Sequence, residues 1–71
     1  MISMPKIRSM PSREIEGILR HNGFSRVGQK GSHIKYRRNG LTAIVPQGQK
    51  VPVGTVNSIR KQSEKPREDF Y

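Results

Sequence analysis

At Asn22-Gly23 the apolar side chains of this chain stop recurring every three to four residues and begin to alternate, and that change of period fixes the order of its elements. Before it, Ile15, Ile18 and Leu19 stand at i, i+3 and i+4, one stripe of an α-helix. Pro11 and Ser12 open that helix, and Glu14 falls near its positive N-terminal end. Gly23 suits the left-handed residue that ends a helix, with Phe24 folding back on Leu19 in a Schellman-type cap.

From Phe24 onward the period is two. A first strand is expected over 24–29, with Lys30-Gly31 as a tight connection, and a second over 32–38. Asn39-Gly40 is a strong hairpin signal, because a type I′ turn needs positive φ at both central residues. A third strand over 41–45 is closed by Pro46, which cannot donate to a ladder. After a loop over 46–53, Gly54 or Thr55 is placed to cap a second helix with Val56 and Ile59 on its apolar face. Connections this short require antiparallel strands. The fold class is therefore α+β: a three-stranded antiparallel sheet in the order α-β-β-β-α, with both helices on one face and the other face open.

Seventy-one residues suit one domain, with its core expected at about 11–62. Residues 1–10 read as an extended lead-in and 63–71 as a loosely ordered tail, whose Phe70 and Tyr71 either fray or dock. The chain has no cysteine, so disulfides and thiolate metal sites are excluded, and its two histidines and five carboxylates are not spaced as metal ligands. Neither a metal nor another cofactor is expected. Apolar runs are short, so no signal peptide or membrane span is expected, and a cytoplasmic location fits. Fourteen Lys plus Arg against five Asp plus Glu give a formal net charge of +9. A surface so charged favours a polyanion, nucleic acid foremost, through phosphate neutralisation and counterion release.

Within this charge one stretch stands out, Lys30-Gly31-Ser32-His33-Ile34-Lys35-Tyr36-Arg37. In a strand, Ser32 and Ile34 share a face with Tyr36, while His33, Lys35 and Arg37 share the other. An imidazole, whose ordinary pKa is about 6.5, can give or take a proton near neutrality. Lys30, Lys35, Arg37 and Arg38 are candidate phosphate contacts. Gly31 would let a nucleic-acid backbone approach closely, and Ser32 offers a hydroxyl donor. Tyr36 reads as core by its parity with Ile34. His21 falls in the last helical turn, where the dipole accounts for it.

Several stretches in the same order match a known family. They are Ser12-Arg13-Glu14-Ile15 with Asn22-Gly23-Phe24, and Gln29-Lys30-Gly31-Ser32-His33 with Lys35-Tyr36-Arg37. Val45-Pro46, Gly54-Thr55, Ser58-Ile59 and Lys61-Gln62 complete the set. In these the chain resembles the HicA-type toxins of type II toxin–antitoxin pairs, small mRNA interferases with a double-stranded-RNA-binding-domain-like fold. The Gln-Lys-Gly-Ser-His run is its most specific part. The resemblance implies metal-independent cleavage of mRNA with His33 as the catalytic residue. It also implies a hetero-oligomeric complex with an acidic HicB-type antitoxin that keeps the enzyme inactive. Whether His33 serves as general acid or general base stays open, as does the alternative of an RNA-binding protein of the same shape without cleavage. Relatives often carry a further histidine where this chain has Gln47-Gly48-Gln49-Lys50, and Ser63-Glu64-Lys65-Pro66 replaces the usual apolar finish of the second helix.

Overall fold

The computed structural model describes residues 7–64. Pro5, Pro66 and the aromatic pair Phe70-Tyr71 lie outside them. Helix α1 (Ser12–His21) is followed by strands β1 (Ser25–Lys30), β2 (His33–Arg38) and β3 (Leu41–Pro46), then by helix α2 (Val53–Ser63). The strands form one antiparallel sheet in the order β1-β2-β3. This is the α-β-β-β-α arrangement that the change of period predicts.

Helix α1 ends as expected. The Phe24 N–H donates to Leu19 O at 2.9 Å and the Gly23 N–H to Arg20 O at 3.0 Å, the two bonds of a Schellman motif. Gly23 takes φ +87°, a conformation that favours glycine; a Cβ there would also meet Arg38 Nε at 3.1 Å, so that flexible side chain would have to shift. Phe24 turns inward, buried with Leu19 and Ile15. Ile18 lies at the rim, only partly buried against that cluster.

The start of α1 is secured without a side-chain cap of its own. Buried Ser12 instead exchanges two bonds with the loop before α2: its N–H donates to Gly48 O at 2.9 Å, and its Oγ accepts from the Gly48 N–H at 3.1 Å. Nearby, Met10 and Val51 form an isolated antiparallel bridge. Ile7 and Met10 are buried in the core, so the packed region begins before residue 11. Single apolar residues that fill a gap carry no period, which is why the lead-in reads as unstructured from sequence.

Several boundaries differ from expectation, beginning with β1, which starts at Ser25 because Phe24 belongs to the cap of α1. The first connection is Gly31-Ser32, closed by the pair Lys30↔His33, so β1 runs one residue further and β2 begins at His33. Positive φ at the first central position alone, Gly31 at +58°, is the pattern of a type II′ turn. Pro46 is retained as the last residue of β3, on the edge of the sheet, where a missing donor costs no ladder bond. Helix α2 starts at Val53 behind Pro52 rather than being capped by Gly54 or Thr55. The extended conformation of Pro52 sets the chain up for the first turn there. Asn39 and Gly40 both have positive φ, 49° and 82°, as a type I′ turn demands.

Both helices cover the face that carries Ile34, Tyr36, Ala43 and Val45, and these side chains join Ile15, Leu19, Val56 and Ile59 in one core cluster. Gln62 of α2 reaches the edge of the sheet, where its Oε1 accepts from the Ile44 N–H at 3.1 Å and blunts the outer side of β3. On the opposite edge β1 is exposed throughout, and a bulge between Arg26 and Gly28 turns Val27 outward, 52% exposed. No helix of the described residues is long and apolar enough to cross a membrane.

Leu19 is fully buried and Ile18 is not. Leu19→Ala is expected to cost about 2–5 kcal/mol in urea or thermal unfolding, and Ile18→Ala less than half of that. Equal losses would mean that the helix is rotated relative to the packing described above.

Candidate nucleic-acid interface

The ladder pairs give the open face of the sheet as three rows. Lys30, His33 and Pro46 form the first; Gly28, Lys35 and Ile44 the second; Ser25, Arg37 and Thr42 the third. Successive rows are separated by two strand residues, about 6.8 Å. His33 stands at one end of this grid, the first residue of β2 after the Gly31-Ser32 turn. It is exposed, as are Lys30, Lys35 and Arg37. Gly28 leaves open space beside Lys35 in the middle row.

The carboxylates lie elsewhere. Among the described residues they are Glu14 and Glu16 on α1 and Glu64 at the end of α2. Glu14 pairs with Arg8, and Glu16 lies 3.8 Å from Arg20. No acidic side chain of the described residues therefore shares the face with His33. Nor do three His, Cys, Asp or Glu side chains among them come together as a metal site would require.

Position on the sheet sorts the remaining candidates. Lys30, Lys35 and Arg37 surround or extend from His33 on one face. Arg38 has the opposite parity, and its side chain packs beside Gly23 at the C-terminal end of α1, where a cation is favourable. It does not join the group. Gly31 and Ser32 are the two exposed turn residues, and Ser32 contributes its carbonyl to the Gln47 N–H at 2.6 Å. That bond carries the β2–β3 ladder one residue past Pro46 and steadies the turn before His33. His21 is exposed in the last turn of α1, on the helix layer and away from the open face of the sheet.

Tyr36 fixes β2 beneath α1. It is fully buried, and its hydroxyl donates to Glu16 Oε1 at 2.7 Å, while the Arg20 guanidinium lies 5.7 Å from the ring centroid. Burial, followed by the hydrogen bond to Glu16 and the charge of that carboxylate, pushes the phenol up to about 12; Arg20 and Arg26 oppose the shift. The core position expected for Tyr36 is the observed one.

A polar network around the turn is not legible in the sequence. Arg26 donates to Gln29 Oε1. Gln29 Nε2 in turn donates to Gly31 O at 2.9 Å and to Gln47 Oε1 at 3.2 Å. Three segments are thereby tied together at the end of the sheet that carries His33. The one signal that could have found it is the register implied by a two-residue turn, which sets Gln29 beside Ile34 and Pro46 opposite His33.

One protein family, described as the HicA toxin of bacterial toxin–antitoxin systems, matches residues 12–64, which include every residue of the open face. No curated protein matches the chain.

The raised pKa of Tyr36 has a definite sign for stability. The folded state keeps the phenol proton after the unfolded chain has begun to lose it near pH 10, so this contribution is complete below pH 10 and is lost as pH rises towards about 12. Unfolding midpoints measured between pH 9 and 12 should fall more steeply for the wild type than for Tyr36→Phe. Parallel curves would remove the phenol–Glu16 bond from the account.

Proposed function

The chain belongs to the HicA toxin family of bacterial toxin–antitoxin systems, and from that premise we propose that it is a metal-independent endoribonuclease that cleaves mRNA with His33 as its catalytic residue. The toxin of such a pair has an antitoxin partner. The observation that supports the reading most is the setting of His33, an exposed imidazole in a row with Lys30 on a basic face free of described carboxylates.

The chemistry that suits this face uses the RNA's own 2′-hydroxyl. Its oxygen attacks the adjacent phosphorus, the bond from phosphorus to the 5′-oxygen breaks, and a 2′,3′-cyclic phosphate and a 5′-hydroxyl result. One proton must leave the 2′-oxygen and one must reach the 5′-oxygen. His33 takes the first as general base or supplies the second as general acid. Lys30 beside it and Lys35 in the next row oppose the negative charge that grows on the phosphoryl oxygens. Arg37, one row further, positions the strand by its backbone. The turn residues Gly31 and Ser32 have little bulk and allow RNA to approach His33 closely.

An acidic partner of the HicB type, in a hetero-oligomeric complex, would inhibit by covering this face and neutralising its cations. The toxin would act in the cytoplasm, where mRNA is found.

A defined single-stranded RNA incubated in EDTA with wild-type and His33→Ala protein tests the proposal. The wild type should yield cyclic-phosphate or 3′-phosphate ends, and the variant should be slower by about 10²–10⁴-fold, the usual worth of one positioned proton-transfer group. Equal cleavage by both proteins would overturn the role of His33. Binding by both without cleavage by either would support the RNA-binding reading.

A further inference from the structure

We propose that the cleft between the start of α1 and residues 47–49 is a nucleobase subsite, in which the Gln47 side-chain amide donates a hydrogen bond to an acceptor on the base edge. This deepens the ribonuclease reading and rests on it for the identity of the strand. The cleft encloses about 460 Å³ and is lined by Pro11, Ser12, Arg13, Gln47, Gly48 and Gln49. Its walls are held together by the paired bonds between Ser12 and Gly48, so the space exists before any ligand arrives.

A chain of hydrogen bonds with one direction sets the chemistry of Gln47. A guanidinium can only donate, so Arg26 fixes the oxygen of the Gln29 amide towards itself. The Gln29 nitrogen is then turned to Gly31 O and to Gln47 Oε1, which it reaches at 3.2 Å. With its oxygen engaged as an acceptor, Gln47 is left with its NH₂ group, which has no hydrogen-bond partner among the described residues. Arg26 and Gln29 thus engage the Gln47 oxygen and leave its NH₂ group available as a donor. Its complement is a carbonyl oxygen or an unprotonated ring nitrogen.

Three features favour a base over a phosphate. The free donor is neutral. Pro11 and Arg13 are among the residues that line the cleft, and a proline ring and a guanidinium are both groups on which a base can stack. Gln47 also directly follows Pro46, the ladder partner of His33, so the cleft borders the end of the sheet that carries His33. An RNA strand with a phosphate at His33 can therefore turn a neighbouring unpaired base into it, and single-stranded RNA is commonly read in this way.

Gln47→Glu is the informative variant. It keeps the oxygen that Gln29 bonds and replaces the free donor with an acceptor. A randomised single-stranded RNA pool is cleaved in EDTA, and the product ends are sequenced. Wild-type ends should show a base preference at one flanking position, and Gln47→Glu should reduce that preference by about 2- to 10-fold, the worth of one hydrogen bond. Gln29→Leu, which frees the Gln47 amide to rotate, should blunt the same position. Identical end sequences from wild type and Gln47→Glu would overturn the proposal. Should the wild type leave the pool intact, the ribonuclease reading fails, and retention of the same pool on immobilised protein decides the subsite by itself. Retained sequences that differ between wild type and Gln47→Glu support it; the same retained sequences from both overturn it.

Discussion

The parity of β2 constrains everything else in this molecule. Ile34 and Tyr36 fit only under the helices, where they are buried among Ile15, Leu19, Val56 and Ile59. The Tyr36 hydroxyl finds its acceptor on α1 in Glu16, so a slip by one residue would bury Lys35 and leave a phenol and a carboxylate without each other. Once that side is committed, His33, Lys35 and Arg37 can point only to the open face. Burial on one side of the strand thus builds the basic array on the other.

The carboxylates follow the same division. Glu14 and Glu16 lie on α1, where they pair with Arg8, Arg20 and Tyr36, and Glu64 closes α2. Negative charge in the described residues is therefore confined to the helical layer, and the cations of the sheet face have no acidic partners among those residues. Such a face adds self-repulsion to the folded protein, and a bound polyanion relieves it. A site of this kind suits the proposed ribonuclease, which would accept RNA there and would be blocked by a partner able to supply the missing negative charge.

Much of the fold is legible in the sequence because each element announces itself locally. Gly23 and Phe24 spell out the end of α1, and Asn39-Gly40 the second hairpin. The first hairpin turn falls one residue later than expected, because Gly31 reads equally well as the second or the first central residue of a turn until its φ is known. Ile7 and Met10 escape a reading by period since isolated residues have none, and Met10 is held by a bridge to the distant Val51. For the site, alternation sorts His33, Lys35 and Arg37 correctly, and by the same rule it sets Arg38 on the far side. The link from Arg26 through Gln29 to Gln47 spans 18 residues between its last two members, a contact that only the closed sheet creates.

The central claim is that the cations of the open face, and not Arg38 on the helical side, grip the phosphate backbone of the RNA. The most direct test is the salt dependence of binding to a single-stranded RNA made uncleavable by 2′-O-methylation. Removing one cation that touches a phosphate of a single strand lowers the slope of log affinity against log salt by about 0.7. The account predicts that Lys35→Ala with Arg37→Ala flattens the slope by about 1.4, while Arg38→Ala leaves it unchanged. A slope that falls with Arg38→Ala and holds in the double variant would place the RNA on the other side of the sheet and contradict the account.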